Sequence, residues 1–155
     1  RAGAWLLCAR DATSTSIGVG ATSKDCTFSV SGGGNFGASG YDVDSTLGGG
    51  GTRAVIAAGG YYHFTAASLW VASAYLNARM YIKTSANGND IITKGLLRTT
   101  VGGAIDEDGI AIIECSGDYS CNSGDTITVT VWNMDTLLGV TMNDAMLHFH
   151  RIPTS

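Results

Sequence analysis

The three histidines of the chain include a closely spaced pair, His148 and His150. Alternate residues of a β strand point to the same face of a sheet, so a strand here would place both imidazoles side by side. Imidazole nitrogen is a common ligand of zinc, copper, nickel and iron ions. Histidines that are packed or hydrogen-bonded at a sheet face or a subunit boundary have the same spacing. We favour this structural interpretation and keep a metal site at the pair as the alternative.

Two acidic segments offer carboxylate oxygens, the ligands that calcium prefers. Asp106, Glu107 and Asp108 precede a glycine in one segment, and Asp42 and Asp44 lie close together in the other. Solvated acidic turns have the same composition and are the favoured interpretation. The sequence therefore predicts no cofactor, and calcium at Asp106 and Asp108 is the alternative.

A glycine-rich segment contains the spacing G-x-G-x-x-G at Gly32, Gly34 and Gly37. This spacing binds a pyrophosphate only where a helix begins directly after it, and no helical pattern follows here. The sequence also lacks the G-x-S-x-G elbow, the phosphate-binding loop of nucleotide hydrolases and the H-E-x-x-H zinc motif. Because no nucleophile, base and orienting group can be assembled from the sequence, we predict that the protein is not an enzyme.

Four cysteines, an even number, allow three disulfide pairings. The simplest pairing joins neighbours in the sequence, first with second and third with fourth, because each such pair brackets a turn-rich segment. We expect these disulfides in an extracellular assembly, with buried thiols as the alternative. The candidate residues are Cys8, Cys26, Cys115 and Cys121.

The composition favours a single β domain over residues 1–155. Of the 155 residues, 45% are hydrophobic and only 14% are charged, against about 25% charged in typical domains. Thr, Val, Ile and Tyr are plentiful, and 22 glycines accompany one proline, which indicates strands joined by glycine-rich turns. Together with a mean hydropathy of +0.16, the low charge indicates apolar surface that an oligomer would cover.

Charge and hydropathy exclude two classes of partner. The net charge is -4 and the nine Lys and Arg residues are scattered, whereas a nucleic-acid site needs a basic stripe. No apolar run reaches the roughly 18 residues that a membrane-spanning helix requires. We therefore predict neither nucleic-acid binding nor membrane insertion.

Alternation of polar and apolar residues predicts strands along most of the chain. The central stretch follows Gly59-Gly60 and places Tyr62 and Phe64 on one face. Tyr61 and His63 would lie on the opposite face. Two later runs, 75–83 and 126–132, alternate in the same way, and their expected core residues are Leu76, Ala78, Met80, Ile82, Ile127, Val129 and Val131.

These runs add up to nine or ten strands without a helix. The predicted fold class is therefore all-β, an antiparallel two-sheet sandwich of the jelly-roll type. The strand from Ile110 to Cys115 has apolar residues on both faces, so we expect it to be buried on both. Segment 31–51 is expected to form an ordered surface loop, and Asn87-Gly88 a turn between two strands.

Gly60-Tyr61-Tyr62-His63-Phe64 resembles the G-x-Y-x-F signature of C1q-like domains, the globular heads related to tumour necrosis factor. Gly40-Tyr41-Asp42 and the turn into the strand at 124–129 are similar to further motifs of the family, and the resemblance covers residues 26–152. At the end the chain has Met146-Leu147-His148-Phe149-His150, where the family usually has phenylalanine, a small residue and glycine. The resemblance implies a C1q/TNF-like jelly roll that forms a homotrimer, and some members of the family bind calcium.

Similar jelly-roll modules also occur in bacteriophage virion proteins, as trimeric fibre tips and capsid decorations. A glycine-rich, lysine-poor chain without an N-x-S/T glycosylation sequence fits this setting. We therefore predict a non-enzymatic trimeric module of an extracellular or virion assembly, whose partners are its own copies and capsid or fibre proteins. The alternative is a head domain that binds a cell-surface receptor or glycan through segment 31–51 and the Asn87 turn.

The polar faces of the central strands carry aromatic residues that are unusual on a surface exposed to solvent. Tyr75 and Tyr81 lie outside the core on the run 75–83, and Tyr61 has the same parity earlier in the chain. Such side chains can converge on a three-fold axis and leave water, although a sugar- or receptor-binding platform is the alternative. The predicted trimer interface consists of Tyr61, His63, Tyr75, Tyr81 and Trp132.

Overall fold

The computed structural model describes residues 6–11, 15–18, 20, 22–28, 46–48, 52–56, 58–72, 75–84, 90–100, 109–135 and 139–153. All regular secondary structure in these ranges is β. None of the described segments is a helix long and apolar enough to cross a membrane. The strands are Leu6–Asp11 (β1), Thr15–Ile17 (β2), Thr22–Asp25 (β3), Thr46–Gly48 (β4), Arg53–Val55 (β5), Gly60–Val71 (β6), Tyr75–Thr84 (β7), Asp90–Thr100 (β8), Ile110–Cys121 (β9), Thr126–Asn133 (β10) and Val140–Arg151 (β11).

The strands form two antiparallel sheets. The first sheet has the order β1-β11-β6-β9, with β2 also paired to β11. The second has the order β4-β5-β10-β7-β8, with β3 also paired to β10. The predicted all-β, two-sheet antiparallel jelly-roll sandwich is thereby confirmed. The described ranges hold eleven strands, against nine or ten predicted, since β2, β3, β4 and β5 have only three or four residues each.

The predicted alternation holds along the central strands. On β6, Tyr62 and Phe64 are fully buried, whereas Tyr61 and His63 face outward. Side chains that alternate in this way cover the core with one sheet face and leave the other face open. All residues expected in the core from β7 and β10 are buried, and these are Leu76, Ala78, Met80, Ile82, Ile127, Val129 and Val131.

Aromatic rings from β6 and β11 form the centre of the core. The ring centre of Phe149 lies 5.2 Å from that of Phe64 and 5.9 Å from that of Tyr62. The Tyr62 hydroxyl, the polar end of this cluster, donates a hydrogen bond to the Ala58 carbonyl at 2.6 Å. Because a buried hydroxyl without a partner is destabilising, this bond allows a tyrosine at a core position.

The two sheets approach each other closely where β8 runs past β9. A Cβ atom at Gly95 would lie 2.8 Å from Ile113 Cγ2 and 2.9 Å from the Glu114 carbonyl oxygen. At Gly117, a Cβ atom would lie 3.0 Å from Thr93 Cβ. Glycine at these positions leaves room for the neighbouring strand, which explains two glycines inside long strands.

The predicted disulfides are wrong. Cys26, Cys115 and Cys121 are buried thiols. Cys115 and Cys121 lie on the uninterrupted strand β9, and six residues of extended chain separate their Cα atoms by roughly 20 Å, whereas a disulfide requires about 4.4–6.8 Å. Cys26 follows β3 in the second sheet and its thiol contacts Met142 Sδ at 4.0 Å. Cys8 lies on β1, at the edge of the first sheet.

Several sequence predictions fall outside the described residues. These are the turn at Asn87-Gly88, most of the glycine-rich segment 31–51, and the acidic residues Asp42, Asp44, Asp106, Glu107 and Asp108. The described strands nearest to Asn87-Gly88 are β7, which ends at Thr84, and β8, which begins at Asp90.

Thiol chemistry provides a first test of the fold. Burial raises the pKa of Cys115 to about 11 and, with a smaller effect of Asp125, that of Cys121 to about 12. Both thiols are therefore protonated at pH 8, and we expect iodoacetamide to modify them slowly in the native protein and rapidly in denaturant. Mass spectrometry after labelling checks this, and failure of the unreduced, denatured protein to take up label at either position would show a disulfide instead.

Replacement of Gly95 by alanine tests the close approach of β8 and β9. The added methyl group overlaps Ile113 and the Glu114 backbone, so we expect the free energy of unfolding to fall by about 1–3 kcal/mol. Gly18→Ala is the matched control, because a Cβ atom there would lie 3.7 Å from its nearest neighbour, Thr22 Oγ1. Equal urea midpoints for the two variants would contradict the proposed packing.

Candidate functional site

The outer face of the first sheet carries the most unusual surface of the described chain. Its side chains alternate with those of the core on β6, β9 and β11. Three of the four large apolar side chains that are exposed among the described residues lie here, namely Tyr61, Ile112 and Met146. The other residues of this face include Thr65, Ala67 and Leu69 on β6, Glu114 and Asp118 on β9, and His148 and His150 on β11.

One end of this face is an apolar groove of about 330 Å³. Ile112 on β9 lies opposite Leu69 on β6, and Met146 on β11 lies opposite Ala67. The exposed fractions are 56% for Ile112 and 37% for Met146. The full lining consists of Ala67, Ser68, Leu69, Ile112, Glu114, Asp144, Ala145 and Met146.

The exposure of Ile112 corrects the expectation that its strand is buried on both faces. Ala111, Ile113 and Cys115 are buried, but Ile112 and Glu114 point outward. Glu114 could have revealed that Ile112 is exposed, because residues two positions apart on a strand share a face. Asp118 also points outward, because it lies an even number of residues from Ile112 on β9. The sequence did not reveal it as a functional candidate.

The other end of the face holds all three histidines of the chain. His63 on β6 lies directly opposite His150 on β11, and His148 lies opposite Thr65. The ring centre of His150 is 5.5 Å from that of His63 and 5.7 Å from that of His148. The predicted placement of His148 and His150 on one face is thus observed, and the cross-strand His63 completes a histidine cluster of three residues.

Asp118 orients His63 from the opposite side. It lies across from His63 on β9, and His63 Nδ1 donates a hydrogen bond to Asp118 Oδ1 at 2.5 Å. Since a carboxylate only accepts, Nδ1 carries a proton, and Nε2 of a neutral ring keeps its lone pair. Thr65 Oγ1 lies 3.4 Å from this Nε2 atom. His63 therefore has a defined tautomer in its neutral form.

His148 is a half-buried member of the cluster. Burial lowers its pKa, and the neighbouring imidazoles of His150 and His63 lower it further. An uncharged ring is therefore favoured at neutral pH. Across the described residues, no group of three or more His, Cys, Asp or Glu side chains is positioned so that it could hold a metal ion as the rings stand. Metal binding by His148 and His150 consequently stays a prediction.

Thr65, His63 and Asp118 share the connectivity of a hydrolase triad but lack its surroundings. They lie on an open sheet face, and the hydroxyl is 3.4 Å from the imidazole. β6 is paired on both sides, so its backbone N–H groups are engaged in the sheet and cannot bind an oxyanion. This geometry does not support acyl transfer.

The structure divides the predicted trimer interface between two surfaces. Tyr61 and His63 lie on the first sheet, whereas Tyr81 and Trp132 lie on the outer face of the second. Tyr75 is the first residue of β7 in the second sheet. The expectation of a single face is wrong, because the chain changes sheets between β6 and β7 and the outer faces of a sandwich point away from each other.

The outer face of the second sheet has a different character. Trp132 lies between Arg79 on β7 and Ser23 on β3 in the sheet register. Its Nε1 atom is the one buried side-chain nitrogen or oxygen without a hydrogen-bond partner among the described residues. Tyr81 is half-buried nearby on β7. This face combines aromatic rings with a cation.

No model of a known protein family and no curated protein matches the sequence. Among solved structures, murine APRIL at pH 5.0 superposes with a TM-score of 0.65 at 10% identity, over 96% of this chain and 99% of that chain. Eiger TNF from S. frugiperda gives a TM-score of 0.64 at 11% identity, over 99% of this chain and 95% of the other.

A third similar structure is the globular domain of zebrafish complement 1qA protein. It gives a TM-score of 0.59 at 5% identity, over 96% of this chain and 97% of that chain. At identities this low, the superpositions show the fold alone. They confirm the fold that the resemblance of the Gly60–Phe64 motif implies. The chain is a C1q/TNF-like jelly roll over nearly its whole length.

Proposed function

We propose that this domain is a non-enzymatic structural module that assembles as a homotrimer through the outer face of its first sheet. The observation that carries the proposal is the apolar groove on that face, with Ile112 and Met146 exposed at its sides. A contiguous apolar surface on a central sheet marks an interaction site, since exposure to water is unfavourable. Tyr61 extends this surface beyond the histidine cluster.

The charge distribution supports a second copy of the chain as the partner. The groove carries only Glu114 and Asp144 as charged lining residues, and the chain as a whole is 14% charged. Interfaces between permanent subunits are depleted of charge at their centre in the same way. The resemblance to C1q-like domains supports three copies around an axis, with the same face of each copy contributing to a closed ring.

The setting that we propose is a virion or another extracellular assembly, as a capsid decoration or a fibre head. The chain contains three lysines and 22 glycines and has no N-x-S/T sequence. Its cysteines at 26, 115 and 121 are buried, so an oxidising environment would not readily cross-link copies through them. Capsid or tail genes next to the coding sequence would support the virion setting, and their absence would favour another extracellular assembly.

Introduction of a carboxylate into the groove tests the interface. Ile112→Asp places a charge where it would be buried without a partner, so we expect the trimer to dissociate at least about tenfold more readily. Tyr61→Asp should act in the same direction. Tyr81→Asp is the matched control, because it introduces the same charge on the opposite surface of the sandwich. Sedimentation velocity at micromolar concentration measures each association state.

Two results would contradict this proposal. A wild-type chain that sediments as a monomer at micromolar concentration would exclude a stable trimer. Dissociation by Tyr81→Asp, with Ile112→Asp still trimeric, would assign the interface to the second sheet.

The second candidate function is a receptor- or glycan-binding head. It is favoured by Trp132, whose buried Nε1 atom has no partner in the described structure, and by the neighbouring Arg79 and Tyr81. Aromatic rings beside a cation are suited to binding a sugar or a peptide. We expect saturable binding on a glycan array to be lost in Trp132→Ala and kept in Ile112→Asp. An array without any bound glycan would count against glycan recognition.

A further inference from the structure

The histidine cluster places three imidazoles on two neighbouring antiparallel strands, and they could share a metal ion only after their rings rotate. His148 and His150 project from one strand, and His63 faces His150 from the next. Two imidazoles that bind one tetrahedral Zn²⁺ through nitrogen atoms at about 2.0–2.1 Å have ring centres roughly 5.2 Å apart. The separations of His150 from His63 and from His148, 5.5 and 5.7 Å, exceed this value only slightly.

The contact between His63 and Asp118 adds a second, independent feature of such sites. Histidines that bind metal ions usually donate their other ring N–H to a carboxylate, which fixes the ring orientation and raises the basicity of the ligating nitrogen. His63 donates from Nδ1 to Asp118, so Nε2 is the nitrogen atom that keeps a lone pair for a ligand. This Nε2 lies near Thr65, which is the residue opposite His148. The lone pair on Nε2 therefore lies on the same strand as the residue that pairs with His148.

We propose that His63, His148 and His150 bind one divalent transition-metal ion of the Zn²⁺ class, with Asp118 as the positioning residue for His63. Three neutral imidazoles suit a borderline-soft ion and not Ca²⁺, which requires oxygen ligands. Three protein ligands leave the fourth tetrahedral position to water or to a group from another molecule. The histidines are only half-buried, so their rings can rotate to bring three nitrogen atoms to one centre.

All four residues belong to a single chain, so the metal site does not depend on the proposed trimer. The groove variant Ile112→Asp leaves the histidine cluster intact. Ile112 lies opposite Leu69, and Ala67 separates Leu69 from the histidine cluster along the outer face of β6. Zn²⁺ binding by this variant, whatever its association state, separates the two proposals.

The test is calorimetric titration of the chelator-treated full chain with Zn²⁺ near pH 7.5. We expect saturable binding of one ion per chain, no saturable binding of Ca²⁺, and a visible absorption spectrum of tetrahedral type when Co²⁺ replaces Zn²⁺. His150→Gln and His63→Gln should each weaken binding by about tenfold or more, because each removes a ligand. Circular dichroism establishes that both variants are folded.

Asp118→Asn should weaken Zn²⁺ binding by about 10- to 100-fold and keep the tetrahedral Co²⁺ spectrum, because it alters orientation and not the ligand set. Glu114→Gln is the matched control, since it removes a carboxylate from the same strand and face but outside the cluster. Absence of saturable binding in the wild type, or unchanged binding in both histidine variants, would overturn the proposed site. Equal affinities of Asp118→Asn and Glu114→Gln would overturn the role of Asp118.

Discussion

The register of β6 between β9 and β11 is the constraint on which the rest of the structure depends. β6 is paired along its whole length with β9 and along most of it with β11. A slip by one residue would turn Tyr62 and Phe64 toward water and bring His63 into the core. The aromatic contacts with Phe149 oppose such a slip, because they stabilise one alignment of the strands. The apolar core therefore also sets the alignment of the outer face, where His63 meets His150.

Period-two alternation made the core of β6, β7 and β10 predictable from the sequence. Local alternation reports which side chains share a face, but it carries no information on which strands become neighbours. Tyr61 and Tyr81 have the same outward parity on their own strands, yet the chain passes from the first sheet to the second between them. The sequence therefore predicted Tyr61 as part of the proposed interface, but not Ile112 and Met146 of the groove. His63 joined the cluster of His148 and His150 through a pairing of distant segments.

The mistaken disulfides and the missed role of Asp118 have a common cause on β9. Ser116-Gly117-Asp118 has the composition of a turn, and a turn there would have brought Cys115 and Cys121 together. Instead the strand continues, because pairing with β6 satisfies its backbone, and Gly117 leaves room for Thr93 of the neighbouring sheet. Glycine in this strand thus serves packing and not reversal. The continued strand separates the two thiols and places Asp118 beside His63.

The proposed assembly and the proposed metal site make different electrostatic demands on the two ends of the same face. The groove around Ile112 can lose water at little cost, since most of its lining is apolar. A Zn²⁺ ion held by three neutral imidazoles carries a charge of about two, and Asp118 offsets about one unit of it. Burial of the remaining charge would be costly, so a loaded site favours contact with water or with an anionic group. We therefore expect the proposed subunit contact to centre on the groove, where desolvation costs least.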